Sequence, residues 1–360
     1  MMKKRLAGIM MMSLIIGVLG GCAGTPVVYY TECNCNLENV QHVDTESSQV
    51  AVQETVLTEG ALKTGLSITT SVANSENGVA ADYDITQVAV LVDDAGVIQD
   101  CIIDGIAAKV NFDNNGKITD DVNKEVLTKN ELGADYGMVA YGGAIAEWDV
   151  QADALAQYAV GKTVEELKNG AIDETGKAPE GTDLASSATI YLAGYVTAIE
   201  EAVNNAKHLG AQAGDELRLT CLTSLGSSVE ATKEAEGTAQ LNSDVTAITV
   251  KEGMVTSCYI DSVQAKVNFD QNGIISTNLE EEIKTKNELG ADYGMVAWGG
   301  AIAEWDAQAA AFAAYVTGKN AEEIGGISID EKTVPTEADL STSVTISIGG
   351  FQELLHKALQ

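Results

Sequence analysis

The chain contains one long segment twice. Residues 128–149, TKNELGADYGMVAYGGAIAEWD, return as residues 285–306 with a single change, from Tyr141 to Trp298. A repeat at this separation indicates a duplicated domain, because the units of solenoids and propellers span only about 20–50 residues. The chain is therefore predicted to fold as two similar halves, so a site in one half can be compared with its counterpart.

A second pair of segments helps to set the limits of the copies. KVNFDNNG at residues 109–116 returns as KVNFDQNG at residues 266–273, at the same separation as the first pair. We place copy one at residues 62–208 and copy two at residues 215–360. Each copy then has an ordinary domain size.

Strand patterns open each copy and helix patterns follow. Copy one begins with β-branched runs that are interrupted by turn signals at residues 94–96 and 114–116. Helical spacing comes next, with one helix ending near Gly161 and the last beginning at about Tyr191. This order predicts an α+β fold in which each of two tandem copies has an antiparallel sheet and helices.

Residues 1–21 have the features of a bacterial secretory signal. Three basic residues precede an apolar run that ends in Leu-Gly-Gly, and Cys22 follows. This arrangement predicts cleavage before Cys22, lipidation of its thiol and anchoring at the extracytoplasmic face of the cell membrane. A plain cleavable signal is the alternative. Residues 22–61 are polar with weak periodicity, which favours a flexible tether behind the lipidated cysteine.

Composition excludes some classes of function. The chain has 53 Asp and Glu residues against 21 Lys and Arg, with a formal net charge of −32. Nucleic acid is excluded as a partner, because its binding requires a basic surface. The three histidines, His42, His208 and His356, do not occupy matching positions. A duplicated histidine-dependent hydrolase or metal site is therefore not expected.

Residues 111–116, NFDNNG, resemble the start of a calcium-binding loop. Such a loop needs a glutamate at its twelfth position, where this chain has Val122 and, in copy two, Leu279. The segment is therefore interpreted as a hairpin turn, and no metal site is assigned to it.

A shorter phrase also occurs twice. Residues 183–192 read DLASSATIYL and residues 339–348 read DLSTSVTISI, each before an apolar helical pattern. Capping of the following helix by Asp, Ser or Thr is one explanation. Capping does not explain why Asp, a hydroxyl residue three positions later, then Ser and Thr are all kept in both copies.

The phrase resembles the D-x-x-[ST]-G-A-[ST] signature of FMN-binding domains, whose final threonine carries FMN through a phosphoester. The two copies, the lipidation signal and the segments ELGADYGM and EWDVQADALAQYAVGK resemble the PplA-type FMN-binding lipoproteins of Gram-positive extracellular electron transfer. The resemblance covers residues 62–360 and the N-terminal signal. It implies two FMN groups per chain, attached to Thr189 and Thr345 by an ApbE-type flavin transferase that uses FAD and Mg²⁺.

The resemblance also implies which residues the transferase recognises. They are Asp183, Ser186, Ser187, Ala188, Asp339, Thr342, Ser343 and Val344. Ser187 and Ser343 stand where the signature has Gly, and Val344 stands where it has Ala. Serine is small, whereas valine is β-branched and stiff, so the departure at Val344 is the larger one.

A flavin ring needs a flat apolar neighbour, and aromatic residues make up only 5% of the chain. The candidates in the long repeat are Met138, Tyr141, Met295 and Trp298. The exchange of Tyr141 for Trp298 keeps a ring that can stack.

Two further pairs in the long repeat have two interpretations each. Trp148 and Trp305 could contact the flavin or pack in the core. Glu147 and Glu304 could adjust flavin protonation or lie on a solvated helix face.

The expected function is that of an electron carrier and not of a conventional enzyme. The resemblance implies electron transfer from a membrane quinol or flavoprotein donor to an extracellular acceptor, such as ferric iron or a partner reductase. One alternative is a surface lipoprotein that binds a small molecule without covalent flavin. Another is a structural surface protein with no cofactor. Both alternatives leave Thr189 and Thr345 as helix caps only.

Overall fold

The computed structural model describes residues 60–360. The signal at residues 1–21, Cys22 and most of the 22–61 tether lie outside the described residues. Among residues 60–360, no helix is both long and apolar enough to cross a membrane.

Copy one begins with a three-stranded antiparallel sheet in the order β1-β2-β3. The strands span Lys63–Ser71, Ala80–Val92 and Ile98–Asn111. Strand β2 lies in the middle, and its apolar run from residue 88 to residue 92 is buried on both faces. Such a run is typical of a strand that is covered on both sides.

The helices of copy one follow the sheet along the chain. They are α1 Lys129–Leu132, α2 Met138–Gly142, α3 Trp148–Ala159, α4 Val164–Ala171, α5 Asp183–Ser187 and α6 Ala193–Asn204. Capping boxes at Thr128 and Thr163 begin α1 and α4. Helix α3 ends two residues before Gly161, whose φ of +80° stops the helix, so the predicted helix end is confirmed.

Copy two repeats this architecture. Its sheet has the order β4-β5-β6, with strands Glu216–Ser224, Gly237–Lys251 and Met254–Phe269. Its helices are α7 Lys286–Leu289, α8 Trp305–Val316, α9 Ala321–Gly325, α10 Ala338–Ser341 and α11 Gly349–Ala358. The predicted α+β class, with an antiparallel sheet and helices in each copy, is confirmed.

The two sheets pack face to face and share one apolar core. Phe112 and Phe269 occupy equivalent positions in the two copies and stack on each other there, with ring centroids 4.1 Å apart and planes 2° apart. A residue that contacts its own counterpart lies on a two-fold axis. The copies are therefore related by an approximate two-fold rotation.

The hairpin turns meet along the same contact. The N–H of Gly116 donates to the carbonyl oxygen of Asp113 at 3.0 Å, which confirms the predicted turn. Gly116 and Gly273 have φ values of +66° and +70°. A Cβ atom at Gly273 would lie 2.6 Å from the Asp113 carbonyl oxygen, and one at Gly116 would lie 2.9 Å from that of Asp270. Both the left-handed backbone and the close approach require glycine.

Helices cover the outer face of each sheet. Helices α3 and α6 pack on the first sheet, and α8 and α11 pack on the second. The layers therefore run helices, sheet, sheet, helices. The two helical layers, which carry the two repeated phrases, lie on opposite outer sides of the double sheet.

Candidate functional site

The threonine loops join the last two helices of each copy; we define them as residues 188–192 and 344–348. Thr189 and Thr345 are exposed at the surface, whereas the preceding Ala188 and Val344 are buried in the helical cores. The alternation directs one side chain inward and the next outward. Val344, the larger departure from the signature, is completely buried and therefore contributes to packing.

A buried glutamine holds each threonine loop. The Oε1 atom of Gln151, in the first turn of α3, accepts a hydrogen bond from the Thr189 N–H at 2.8 Å and from the Thr189 hydroxyl at 3.2 Å. It also accepts from the Ile190 N–H at 3.3 Å. In copy two, Gln308 accepts from the N–H of Thr345 at 2.7 Å and from its hydroxyl at 3.1 Å.

The capping interpretation of the repeated threonines is wrong. Helix α6 begins after Leu192 and α11 begins after Ile348, and neither cap residue makes a side-chain capping bond. The cap of α5 is Thr182, which precedes the phrase. Thr189 and Thr345 donate to glutamine instead, so their presence in both copies needs another explanation.

The other residues of the phrase lie in or beside the short helices α5 and α10, just before each threonine loop. Asp183, Asp339 and Thr342 are exposed. The hydroxyls of Ser186 and Ser187 both donate to the Asp183 carbonyl oxygen, at 2.7 and 3.1 Å.

Serine is compatible with the position where the signature has glycine. Among the described residues, the non-glycine residues with positive φ are Glu252 and Thr333. Ser187 and Ser343 therefore do not adopt the left-handed conformation that favours glycine. The hydroxyl of Ser343 donates to the Leu340 carbonyl oxygen at 3.2 Å.

Glu147 has a different role from both of those that its sequence suggested. Its carboxylate accepts from the N–H groups of Met138 and Val139, at 2.7 and 3.1 Å, and so caps the start of α2. Glu304 accepts from Met295 and Val296 at 2.8 and 3.0 Å. A carboxylate at a helix N-terminus satisfies orphan donors and favours the local dipole. Both glutamates therefore fix the segment that carries Tyr141 or Trp298.

Among the large apolar side chains of residues 60–360, those of Tyr141 and Trp298 are the most exposed, at 92% and 83%. Each ring lies over a glycine of positive φ: a Cβ at Gly137 would lie 2.5 Å from Tyr141 Cδ2, and one at Gly294 would lie 2.3 Å from Trp298 Cε3. Each ring thus lies close to the backbone of its glycine, while nearly all of the side chain stays open to solvent. We call these two residues the aromatic plates. Met138 and Met295, by contrast, are half-buried against the helical cores.

Trp148 and Trp305 belong to the core, so that interpretation is confirmed. They are 3% and 6% exposed. The Trp148 Nε1 atom donates to the hydroxyl of Tyr195 at 3.0 Å, and the ammonium of Lys129 lies 5.0 Å from the Trp148 ring.

The first turn of α3 connects the two candidate segments. Glu147 binds the start of α2, and Gln151 binds the threonine loop. The Nε2 atom of Gln151 also donates to the Ala146 carbonyl oxygen at 2.8 Å. The structure therefore links the aromatic-plate segment and the threonine loop through residues 146–151, and does the same in copy two through Glu304 and Gln308.

Sequence reasoning missed both glutamines. A signal was available, since Gln151 lies on the same helix face as Trp148, Ala152 and Leu155, which are all buried. A polar residue on such a face needs a partner, because burial without hydrogen bonds is unfavourable. Its recurrence in the second EWDxQA segment, as Gln308, strengthens that signal.

The two sites differ beside the loop. In copy one the ring of Tyr191, 59% exposed, lies over Gly176. In copy two the corresponding residues are Ser347 and Thr333, which hydrogen-bond to each other through their hydroxyls. Copy one therefore has an aromatic side chain two residues after its threonine that copy two lacks.

The charges beneath the two sites also differ. Burial opposes the charge on Lys129, but Asp84 at 3.0 Å, together with Tyr195 and Tyr136, outweighs burial, and the pKa of Lys129 is raised. In Lys286 burial prevails over the attraction of Asp244 and Asp261, and its pKa is lowered. The two sites are therefore electrostatically unequal.

Neither a metal centre nor a reactive thiol is evident in residues 60–360. That part of the chain has no group of three or more His, Cys, Asp or Glu side chains that could hold a metal ion. The free thiols of Cys101, Cys221 and Cys258 are buried, and burial raises the pKa of each. Comparisons with protein-family models, curated proteins and solved structures found no match.

Proposed function

We propose that the chain carries two FMN groups, linked by phosphoesters to Thr189 and Thr345, and works as an extracytoplasmic electron carrier. The observation that carries this proposal is the duplicated threonine loop. Each loop presents an exposed hydroxyl from a backbone fixed by a buried glutamine, and neither hydroxyl caps a helix.

The surroundings of each threonine fit an FMN phosphate. Helices α6 and α11 begin four residues after Thr189 and Thr345, and their starts have no side-chain cap. The N–H groups and dipole of a helix N-terminus favour an anion. The carbonyl oxygens of Gly176 and Thr333 already accept from N–H groups at these two starts. It is therefore the helix dipole, with the N–H groups left in the first turn, that supports a phosphoester on the neighbouring hydroxyl.

The aromatic plates fit the flavin ring. A ring that is open to solvent can stack with a planar group without first losing other contacts. The FMN groups would supply one- and two-electron chemistry, while the chain would hold them against loss from an exported protein.

The partners follow from the same proposal. An ApbE-type transferase would attach FMN from FAD, as the resemblance of the repeated phrase implies. Lipidated Cys22 would anchor the carrier at the extracytoplasmic face of the membrane. The donor would be a membrane quinol or flavoprotein, and the acceptor ferric iron or a partner reductase.

The test is the mass of the full chain expressed with and without an ApbE-type transferase. Two FMN increments are expected only with the transferase, on the peptides of Thr189 and Thr345. Thr189→Ala and Thr345→Ala should each remove one increment. Thr197→Ala is the matched control, since it removes an exposed hydroxyl eight residues later, on α6, and should leave both increments. Retention of both increments in the Thr189→Ala, Thr345→Ala double variant would overturn the site assignment.

A further inference from the structure

The most informative buried polar groups outside the repeated phrase are Gln151 and Gln308. Both are 0% exposed and sit among apolar side chains in the first turn of a helix. A glutamine in this position costs stability unless its amide is satisfied. Here each amide donates to an alanine carbonyl oxygen and accepts from the N–H of a threonine in both copies, and each contacts the threonine hydroxyl directly.

The orientation of the amide is determined by its partners. Nε2 of Gln151 donates to the Ala146 carbonyl oxygen, while Oε1 faces the N–H groups of Thr189 and Ile190. If the amide were reversed, Nε2 would face the N–H groups of Thr189 and Ile190, and Oε1 would face the Ala146 carbonyl oxygen. Gln151 therefore presents only an acceptor to the threonine, and the threonine hydroxyl must be the donor.

We propose that Gln151 and Gln308 are positioning residues for FMN transfer to Thr189 and Thr345; the inference rests on the proposed function. Donation to Oε1 turns the hydroxyl hydrogen inward and fixes the side-chain rotamer. The oxygen lone pairs then face solvent, which is the direction from which a transferase must approach. Both the place and the orientation of the nucleophile are set before the enzyme binds.

The glutamine takes no part in the bonds that form and break in the transfer step. The threonine Oγ1 attacks the FMN-side phosphorus of FAD, so a P–O bond to threonine forms and the bond to the AMP phosphate breaks. AMP leaves with the electron pair, and the hydroxyl proton passes to a base of the transferase. An amide oxygen is too weak a base to take that proton, so Gln151 positions and does not catalyse.

The contact with Gln151 also holds the first threonine loop in place after FMN has been attached. Transfer removes the hydroxyl hydrogen and with it one of the three bonds to Oε1. The bonds from the N–H groups of Thr189 and Ile190, at 2.8 and 3.3 Å, do not involve that hydrogen. The flavinylated loop is therefore still held by the backbone.

The test uses the duplication as an internal control. In the full chain carrying Gln151→Met, which keeps side-chain length but removes the acceptor, the rates of FMN transfer to the two threonine peptides are followed by mass spectrometry. The variant loses all four hydrogen bonds of the amide, so transfer to Thr189 should slow by at least about tenfold, while transfer to Thr345 is unchanged. Gln308→Met should give the reverse pattern.

A structural role for the glutamine would give a different kinetic pattern. Positioning predicts a lower kcat for Thr189 with an unchanged KM for the protein, because the hydroxyl is misaligned after binding. An unchanged kcat with a raised KM, equal rates at the two threonines, or an equal loss at both in Gln151→Met would each overturn the inference. Absence of transfer to the wild-type chain would instead refute the proposed function.

The isosteric variant Gln151→Glu should restore FMN transfer to Thr189 under conditions in which the new carboxyl is protonated. While its carboxyl is protonated, it can donate to the Ala146 carbonyl oxygen and accept from the threonine loop, as glutamine does. Transfer to Thr189 should then be restored at low pH and decline as the carboxyl ionises, whereas the wild-type chain lacks that titration. Failure of Gln151→Glu to exceed Gln151→Met at any pH would count against positioning.

Discussion

Replacing Phe112 with alanine should destabilise both copies together. Phe112 is 2% exposed and stacks on the fully buried Phe269 in the core shared by the two sheets. Removal of a buried phenylalanine side chain costs about 3–5 kcal/mol, and an aromatic pair contributes about 0.5–1.5 kcal/mol beyond burial. We therefore expect a loss of about 4 kcal/mol in the free energy of unfolding.

The assay is urea unfolding followed by tryptophan fluorescence. Trp148 reports on the helical layer of copy one and Trp305 on that of copy two. Trp148→Phe and Trp305→Phe backgrounds separate the reporters once the third tryptophan, Trp298, is replaced by tyrosine in both. With an m-value of about 3 kcal/mol/M, the midpoint should fall by about 1.3 M for both reporters. Tyr141→Ala, which truncates an exposed ring, is the control and should leave the midpoint unchanged.

The pattern of midpoints decides whether the shared core couples the copies. Phe269→Ala should have a similar effect, and the double variant should lose less than the two single losses added, because both remove one contact. A shift of the Trp148 reporter alone would refute the reasoning, since it would mean that copy one unfolds independently of copy two.

Three further predictions concern local features. Burial raises the pKa of Asp261 to about 6. The folded state therefore binds the proton more tightly than the unfolded state, and the free energy of unfolding should fall as pH rises from about 4 to 6. Asp261→Asn should flatten this pH dependence in urea titrations at several pH values. Glu147→Ala should cost about 1 kcal/mol at the start of α2, seen as faster hydrogen exchange at Val139; unchanged exchange there would contradict the capping role. Thr333→Gly should raise the stability of the fold by about 1 kcal/mol in thermal melts, because a β-branched residue at φ +60° is strained. Gly176→Thr, the reverse change in copy one, should lower the stability. A destabilised Thr333→Gly would show that the hydroxyl bond between Thr333 and Ser347 outweighs the strain.

Local patterns predicted the elements of this fold well. The β-branched runs, the turn at Gly116 and the helix end at Gly161 are short-range signals, and the structure has a strand, turn or helix end at each. The packing of one sheet on the other depends on side chains from distant parts of the chain. The β-branched runs of β2 did not show that its buried faces would be covered by helices on one side and by the other copy on the other.

The candidate site was predictable only in part, for the same reason. The repeated phrase located Thr189 and Thr345, but their interpretation as caps depended on which N–H groups lay nearby. Gln151 reaches the threonine loop across 38 positions, and Glu147 reaches back nine positions to Met138. Neither distance corresponds to a helix or strand period, so only the folded chain brings these groups together.

The stacking of Phe112 on Phe269 makes the duplicated chain resemble a homodimer whose subunits are joined by a peptide link. Separate subunits would part on dilution, because their association depends on concentration. Here the partner half is always present at a fixed effective concentration. The chain thus keeps its two halves paired at any dilution.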